Sequence, residues 1–455
     1  MEESTADDKP NWSELPEDML LTAMSAMDAL DVVRSSAVCS HWRSTYTTLR
    51  RLRLPSSKQQ SPCLLYPRPR PRDASGGPAD SDDDARLCRD DDAPLYLYSP
   101  SADATVRIRL PQDDALVLAG SAHGWLFATD KAANPYLLNP LTGAKAPLPP
   151  VTTFQCVVGS SLDGHGDIVY HVDAPNLPSA PTYAVPARRA RSWMYRHVAI
   201  SAGGADPSCV VLVVHQRPMD LHFASPAGGA DGRWAWASLA ASLGYGFISA
   251  VYNDKDGLFY ALQCCGTVHA LDLHHRRHGP QTWVAARMHR LREVLLVSRI
   301  LCLAVAPCGG VLLVARKHWL SEPDDVFDAA NPFYVYKLDL GAKEEDKKKK
   351  PEKLEGIGDR QHVLLIGEKC SALCVKINME DCPRLRTNCA YLADFIRREF
   401  LCDPFRIIRR RDMGVYWDFE TGQLHNIAHL WPAHHLDLEL PDSAPASIWI
   451  TPSPF

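Results

Sequence analysis

Four histidines in one short segment come closest to a metal site by their type and spacing. Within ten residues lie His269, His274, His275 and His278. Imidazoles bind a metal when they are deprotonated and converge on one point. The adjacent pair Arg276-Arg277 would repel a bound cation. We therefore interpret this segment as a solvated hairpin turn and expect no metal site.

The other reactive residues form no recognisable centre. The 14 cysteines are scattered, and no C-x-x-C occurs. Several lie in apolar, strand-like runs, where a reduced thiol acts as a small hydrophobe. The motifs H-E-x-x-H, G-x-S-x-G and G-x-G-x-x-G and a P-loop do not occur either. We expect no catalytic residue, no cofactor and no enzyme activity in this chain.

Composition narrows the class of protein further. The chain has 455 residues, of which 46% are hydrophobic, enough for a substantial core. No apolar run approaches the roughly 20 residues of a membrane span, and the acidic, polar residues 1–11 predict a disordered N-terminus and no signal peptide. A net charge of −5 gives no nucleic-acid footprint. We expect a cytoplasmic or nuclear protein without membrane or nucleic-acid partners.

Residues 12–53 predict three short amphipathic helices. Pro16 stands where helices favour proline, just inside the start, and Glu17 and Asp18 follow at the positive end of the helix dipole. Asp28 is a good N-cap for a second helix. About forty residues are too few to bury a self-sufficient core. The apolar face of this unit therefore has to meet another surface, and we interpret the unit as a docking module.

The same stretch resembles the F-box over nearly its whole length. The resemblance rests on Leu15-Pro16 at the first helix, an apolar and acidic middle, and Val38-Cys39-x-x-Trp42-Arg43. It implies binding to a Skp-type adaptor and, through it, to a cullin–RING ubiquitin ligase. The alternative is an ordinary helical cap packed on the larger domain. The residues expected at the adaptor interface are Leu15, Pro16, Met19, Leu20, Leu30, Val33, Val38, Cys39, Trp42 and Arg43.

Two biased segments interrupt the chain. Residues 67–93 combine a Pro-Arg repeat, a Gly pair and acidic clusters, which predicts a disordered insertion. The Lys347–Lys350 run could be a nuclear import signal, but a solvated loop explains it at least as well.

From Pro94 onward, short alternating runs broken by Gly, Pro, Asn and Asp predict strands. Pairs of such runs recur. The runs at Val210, Leu258 and Val311 are 48 and 53 residues apart, near the roughly 40–50 residues of propeller repeats. We predict a small all-α unit followed by a large all-β domain, a β-propeller of six to eight blades. The pairs are 124–130 with 136–143, 257–262 with 267–273, 310–315 with 333–340, and 389–394 with 414–419.

This β-rich region also resembles a known family. The runs 120–126, 138–143 and 148–150, with later runs in the same order, are similar to the plant F-box-associated "domain of unknown function 295", the KIB-type β-propellers. The resemblance covers about residues 61–425 and implies a propeller that carries an F-box. We expect residues 426–455 to be a tail that packs on it.

The two resemblances together favour a substrate-receptor subunit of a Skp–cullin–F-box ubiquitin ligase. Its F-box would bind the adaptor, and its propeller would recruit a target protein that the sequence does not identify. The alternative is a regulatory propeller that sequesters a partner without causing its degradation. An enzyme is a third possibility, for which the sequence offers no acid–base set.

Overall fold

A computed structural model describes most of the chain. The described ranges are 11–52, 61–67, 70–71, 95–108, 120–173, 182–204, 206–215, 220–225, 234–244, 246–274, 279–288, 298–317, 333–340, 351–358, 360–367, 372–393, 395–400, 407–412, 415–427, 438–439 and 447–453. The Lys347–Lys350 run lies outside them, as do residues 1–10 and most of the insertion at 67–93. Both interpretations of the Lys347–Lys350 run, an import signal or a solvated loop, and the N-terminal disorder therefore stay predictions.

The N-terminal unit contains the three predicted helices. A 3-10 turn, Trp12–Glu14, precedes α1 (Glu17–Ala26), α2 (Ala29–Ser35) and α3 (Ser40–Leu52). The Asp28 carboxylate accepts the N–H of Asp31 at 2.8 Å, so it caps α2 as its position predicts. A small internal core holds the helices together. It consists of Met24, Val32, Tyr46 and Leu49, with Leu21, Met27, Val33 and Trp42 packed against it.

Four-stranded antiparallel sheets make up the first four blades of the β domain. Blade 1 has the strand order β32 (Ile448–Ile450), β1 (Cys63–Pro67), β3 (Leu95–Ser99), β4 (Ala104–Ile108). Blade 2 contains β5 (Gly120–Ala122), β6 (Trp125–Thr129), β7 (Pro135–Leu138) and β8 (Lys145–Pro147). Blade 3 contains β12 (His197–Ile200), β13 (Val211–Val214), β14 (Leu221–Ser225) and β15 (Ala235–Ser238). Blade 4 contains β16 (Phe247–Asn253), β17 (Leu258–Gln263), β18 (Thr267–Asp272) and β19 (Gln281–Arg287).

A nine-stranded sheet supplies the last two blades. Blade 5 is β20 (Ser298–Val305), β21 (Val311–Lys317), β22 (Phe333–Lys337) and β23 (Glu352–Leu354). Blade 6 is β25 (Ala372–Lys376), β24 (His362–Ile366), β26 (Cys389–Leu392), β29 (Val415–Asp418) and β30 (Gln423–Asn426). A short parallel pairing of Ala304 with Ala372 and Val305 with Leu373 joins the two blades into one sheet.

The innermost strands of these blades form a closed ring. Strand β5 contacts β32 and β12, β12 contacts β16, and β16 contacts β20. Strand β20 pairs with β25, and β24 returns to β32. The described residues therefore form a six-bladed β-propeller, which confirms the predicted fold class and lies at the low end of the predicted range of blades. The runs spaced 48 and 53 residues apart in the sequence correspond to β13, β17 and β21, which are the second strands of blades 3, 4 and 5.

The first and the last described strands of the β domain close this ring together. Strand β32 pairs with β1 in the register Cys63↔Ile450, Leu64↔Trp449 and Leu65↔Ile448. Residues 448–450, part of the segment expected to pack on the propeller, are thus the inner strand of blade 1. The domain boundaries of the sequence analysis, such as the one at residue 425, stay predictions.

Close contacts between neighbouring inner strands tighten the ring. The Ser121 hydroxyl donates to the Trp449 carbonyl at 2.7 Å, and the Ser249 hydroxyl accepts the Leu303 N–H at 3.0 Å. Gly120 approaches β12 so closely that a Cβ atom there would lie 2.7 Å from the Val198 carbonyl oxygen. Any larger residue at position 120 would push blades 2 and 3 apart.

Smaller elements lie outside the six blades. Between blades 2 and 3 lies a three-stranded sheet of β9 (Val157–Leu162), β10 (Ile168–Val172) and β11 (Tyr183–Pro186), preceded by a 3-10 turn, Val151–Thr153. Helix α4 (Ala187–Trp193) packs on this sheet, and α5 (Ala240–Leu243) precedes blade 4. Two-stranded pairs join β27 (Phe395–Phe400) to β28 (Ile407–Asp412) and β2 (Arg70–Pro71) to β31 (Leu438–Glu439). Arg70–Pro71 lies within the segment 67–93, for which disorder stays a prediction.

Candidate functional site

Two side chains of α3 fix the entrance of the N-terminal unit. The Trp42 indole N–H donates to the Trp12 carbonyl at 3.0 Å, and His41 Nε2 lies 2.9 Å from the Leu15 carbonyl oxygen. These contacts hold the turn before α1 against the start of α3. They leave the Trp12 ring and the first turn of α1 at the surface.

Several large apolar side chains of this unit are exposed. The exposed fractions are 62% for Trp12, 55% for Met19, 60% for Val38 and 50% for Leu52. Four of the eight exposed large hydrophobic residues described in the structure thus belong to this small unit. Because a concentration of exposed apolar side chains on one small unit is typical of interaction sites, the helical unit offers a candidate docking surface.

The structure divides the predicted interface residues into two groups. Leu20 and Leu30 are buried, so their side chains offer no surface to a partner. Pro16, Met19, Val38 and Arg43 are exposed, whereas Leu15, Val33, Cys39 and Trp42 are half-buried. Trp12 and Leu52 are exposed apolar residues that the sequence analysis did not include. Helical periodicity shows which residues share a stripe, but it does not show which part of that stripe the fold covers.

Leu30 connects the helical unit to the propeller. It belongs to an apolar cluster that includes Cys63 and Leu65 of β1, Leu126 of β6 and Ile450 of β32. The N-terminal part of α2 therefore covers the interior between blades 1 and 2. This contact couples the docking module to the propeller.

Replacing Leu30 by alanine is expected to lower the free energy of unfolding by about 2–5 kcal/mol, because it leaves a cavity in that cluster. Adaptor binding should be unchanged at temperatures where the protein stays folded, since Leu30 is not at the surface. Urea unfolding and a pull-down of the adaptor measure the two effects. Loss of binding by a folded Leu30→Ala protein would contradict this placement.

The propeller encloses a central cavity of about 1120 Å³. Its wall contains residues from all six inner strands or the turns that follow them, including Ser121, Ile200, Val251 and Val305. Ser61 and Pro62, which precede β1, also line it.

One polar contact spans the edge of this cavity. His123 follows β5 in a left-handed conformation, and its Nε2 lies 3.5 Å from an oxygen of Asp254, which follows β16. The contact joins blades 2 and 4. A lining that combines charged and apolar side chains suits binding. Among the described residues that line the cavity, there is no nucleophile–base pair.

The histidine segment of blade 4 does not form a metal site in its described part. His269 is buried, and its Nε2 lies 3.1 Å from the Gln263 side-chain oxygen. The His274 ring stacks on Phe259. His275 and His278 lie outside the described residues. Among the residues that the structure describes, no group of three or more His, Cys, Asp or Glu side chains could hold a metal ion. The described cysteines carry free thiols.

Blade 3 contains a buried polar cluster that the sequence did not reveal. His215 and His222 pack edge-on against each other and against Phe154, and His222 Nδ1 lies 3.6 Å from an Asp220 oxygen. Burial lowers the pKa of His222 to about 4 and that of His215 well below its usual range. Burial also raises the pKa of Asp220 to about 6. The cluster has no access to a substrate, so it affects stability and not chemistry.

This cluster makes stability depend on pH. Burial also lowers the pKa of His197 in the same blade, to about 3. The three histidines are neutral when folded and ionise near pH 6.5 when unfolded, so their contribution is complete above pH 6.5 and is lost as the pH falls. Asp220 has the opposite effect, because the folded state holds its proton up to about pH 6. We expect a net loss of about 3 kcal/mol between pH 7.5 and 5.5.

Urea unfolding at the two pH values measures this loss. The double variant His215→Asn and His222→Asn should lose less than half as much stability over the same interval. An equal loss in the variant would show that other groups cause the pH dependence.

Comparisons with known proteins agree with the division of the chain into an N-terminal helical unit and a β-propeller. Residues 12–53 match the F-box domain model, and residues 97–417 match the KIB1-4 beta-propeller model. No curated protein matches the chain. The plant origin and the "domain of unknown function 295" designation stay predictions. No helix in the described ranges has the length and apolar character needed to cross a membrane.

Solved structures show only distant likeness. The nidogen/laminin complex is 6% identical over 86% of this chain and 97% of that chain, with a TM-score of 0.35. The Cps50 (Swd1) β-propeller domain of Myceliophteria thermophila is 10% identical over 58% and 81%, with a TM-score of 0.28. YCF48 bound to D1 peptide is 10% identical over 56% and 76%, with a TM-score of 0.25. These scores add nothing to the assignment of function.

Proposed function

This chain belongs to the KIB1-4 β-propeller family and carries an F-box domain, and we propose that it is the substrate-receptor subunit of a Skp–cullin–F-box ubiquitin ligase. F-box domains generally bind Skp-type adaptors. The F-box of this chain would bind such an adaptor, and the propeller would recruit the target protein. We place this function in the cytoplasm, the nucleus or both.

The observation that carries the proposal is the apolar surface of the F-box. Trp12, Met19 and Val38 are each more than half exposed, although the unit is anchored to the propeller through Leu30. A helical cap that only packed on the larger domain would have no reason to keep these side chains in water. An adaptor that covers them would remove that apolar surface from water.

The proposed role requires no chemistry from the chain itself. F-box and β-propeller domains are typically interaction modules. A receptor of this kind acts by holding its target near the ubiquitin-charged enzyme, which raises the effective concentration of the reacting groups. The contact through Leu30 supports this role, because it limits the positions that a bound target can take relative to the adaptor.

Purification of the tagged full chain from cells with the proteasome blocked tests the proposal. We expect the Skp-type adaptor and the cullin to co-purify, together with proteins that accumulate only while degradation is blocked. The matched control is the chain with Met19 and Val38 changed to glutamate. Absence of the adaptor from the wild-type complex would overturn the proposal. An adaptor complex whose bound proteins keep the same lifetime would favour the sequestering alternative.

A further inference from the structure

We infer that the two-stranded ribbon of β27 and β28 binds an acidic, extended segment of the target protein on one of its two faces. The segment has an apolar residue and, at the next alternate positions, glutamate or aspartate. This inference rests on the proposed function, because the segment belongs to the protein that the propeller recruits.

The ribbon is an extension of blade 6. Within the blade, β26 pairs with β29 up to Leu392↔Val415. The ribbon begins with Phe395↔Asp412, so each strand has advanced by three residues and the register is the same. The ribbon consists of six residue pairs, and among the described residues no third strand pairs with it. It therefore extends beyond the sheet of the blade as a separate pair of strands.

The ribbon carries a local excess of positive charge. Residues 395–412 contain six arginines and three acidic residues, whereas the whole chain has a net charge of −5. The excess belongs to this segment and not to the protein as a whole. The pairing of the two strands shows how it is divided between the two faces.

One face of the ribbon balances its own charge. Directly paired residues of an antiparallel ladder share a face, and the faces alternate along each strand. Arg397 pairs with Arg410. Glu399 and Asp412 lie two positions along the same two strands and so share the face of these arginines. This face has one acidic residue for each arginine.

The other face of the described ribbon has three arginines and no acidic residue. Arg398 is directly opposite Arg409, and Arg411 lies two positions from Arg409 on the same strand. Like charges at opposed positions destabilise a strand pair, and a two-stranded ribbon is only marginally stable by itself. We call this the arginine face, and a bound anion would stabilise it. Its other positions are apolar: Ile396, Phe400 and Ile407.

The neighbouring strand β31 does not offset this charge. It lies beside β28, with Cα atoms within 8 Å. Its acidic residue, Glu439, is directly paired with Arg70 of β2, and opposite charges at paired positions are favourable. Glu439 is therefore matched by an arginine of its own strand pair, and the excess on the arginine face remains.

The rows of the arginine face define the segment that fits it. Neighbouring rows are about 7 Å apart, which is also the spacing of alternate side chains in an extended segment. A segment along the ribbon therefore places an apolar residue over the outermost row and carboxylates over the two rows with arginine, which binds carboxylates through paired hydrogen bonds. From the blade outward, the rows are Ile396 with Arg411, Arg398 with Arg409, and Phe400 with Ile407.

A polypeptide suits this face better than a nucleic acid does. Half of the six positions on the arginine face are apolar, and a phosphate backbone offers them no apolar contact. The net charge of −5 also opposes the approach of a long polyanion. An acidic segment of a target protein supplies both the carboxylates and the apolar side chain.

Fluorescence anisotropy with a labelled synthetic peptide and the purified full chain tests the inference. The peptide has a leucine followed by glutamates at alternate positions, with serine between them. We expect binding that weakens as salt is added. Changing Arg398 and Arg409 together to glutamine should weaken it by about tenfold or more, because charge-assisted hydrogen bonds are lost. Glutamine in place of glutamate in the peptide should have the same effect on the wild-type chain, which needs no protein variant.

The matched control changes Arg397 and Arg410, the paired arginines of the opposite face, to glutamine. It removes the same charge from the same ribbon, so peptide affinity should stay within about twofold of wild type. Urea unfolding should be unchanged in both variants, because the ribbon lies outside the six blades. Equal weakening by the two variants would show that only overall charge matters and would overturn the inference.

Further measurements test other occupants of the arginine face. A DNA duplex that binds more tightly than the peptide, and loses affinity in the Arg398 and Arg409 variant, would assign the face to nucleic acid and overturn the inference. Peptide binding that appears only after residues 82–84 are changed from aspartate to asparagine would show that the acidic cluster of the chain itself occupies the face, which would also overturn it.

Adaptor binding, measured in parallel, separates this inference from the proposed function. Adaptor binding without peptide binding would overturn only the inference. Peptide binding without adaptor binding would overturn only the proposed function.

Discussion

Changing Met19 and Val38 together to glutamate is expected to weaken adaptor binding by about 100-fold or more, equivalent to roughly 3 kcal/mol. Both side chains are more than half exposed in the free chain, so an adaptor that covers them removes apolar surface from water. A glutamate at either position would place a charge in that dry contact without a partner. Titration calorimetry with the purified adaptor measures the change.

The substitutions should not affect the fold. Position 19 lies in the first turns of α1, where a negative charge interacts favourably with the helix dipole, and position 38 lies between α2 and α3. We expect unchanged urea unfolding for this variant. The control Trp283→Glu places the same charge on an exposed apolar site of blade 4 and should bind the adaptor normally. Normal binding by the Met19 and Val38 variant would show that the adaptor uses another surface.

Changing Trp449 to alanine is expected to lower the free energy of unfolding by about 3–5 kcal/mol. The Trp449 ring is buried where the ring of blades closes, and it packs edge-on against Tyr391, with centroids 6.2 Å apart. Its strand joins the last described part of the chain to β1 and accepts the Ser121 hydrogen bond through the Trp449 carbonyl. Loss of the side chain would therefore weaken the contact that closes the propeller.

The matched control for this prediction is Trp449→Phe. None of the described residues accepts a hydrogen bond from the Trp449 indole N–H, so phenylalanine removes no hydrogen bond seen among them and keeps most of the buried area. We expect the phenylalanine variant to lose less than half as much stability as the alanine variant. Equal urea midpoints for wild type and Trp449→Ala would show that the ring does not depend on this strand.

The local features of the fold could be predicted from the sequence. The apolar spacing of residues 12–53 predicts three helices, and the structure has them at Glu17–Ala26, Ala29–Ser35 and Ser40–Leu52. Period-two alternation likewise predicts strands such as β6, β17 and β21. These features depend on neighbouring residues along the chain, because helix caps and strand alternation act over a few positions.

The candidate surfaces could be predicted only in part. The motif Leu15-Pro16 with Val38-Cys39-x-x-Trp42-Arg43 identifies the F-box, and Met19 and Val38 are exposed within it. Leu20 and Leu30 share the same apolar pattern but are buried. The pattern cannot separate these two groups, because exposure depends on which neighbouring element covers a side chain.

Alternation along β1 and β32 likewise gives no information about their pairing, because residues 63 and 450 meet only when the ring closes. The same limit applies to β9, whose alternation does not show that it ends a sheet. The sequence by itself therefore determined the F-box, the strand-rich domain and their order. Tertiary structure alone decided the six blades, the closing strand and the contact through Leu30, since each of these requires residues that are far apart in the sequence to meet in space.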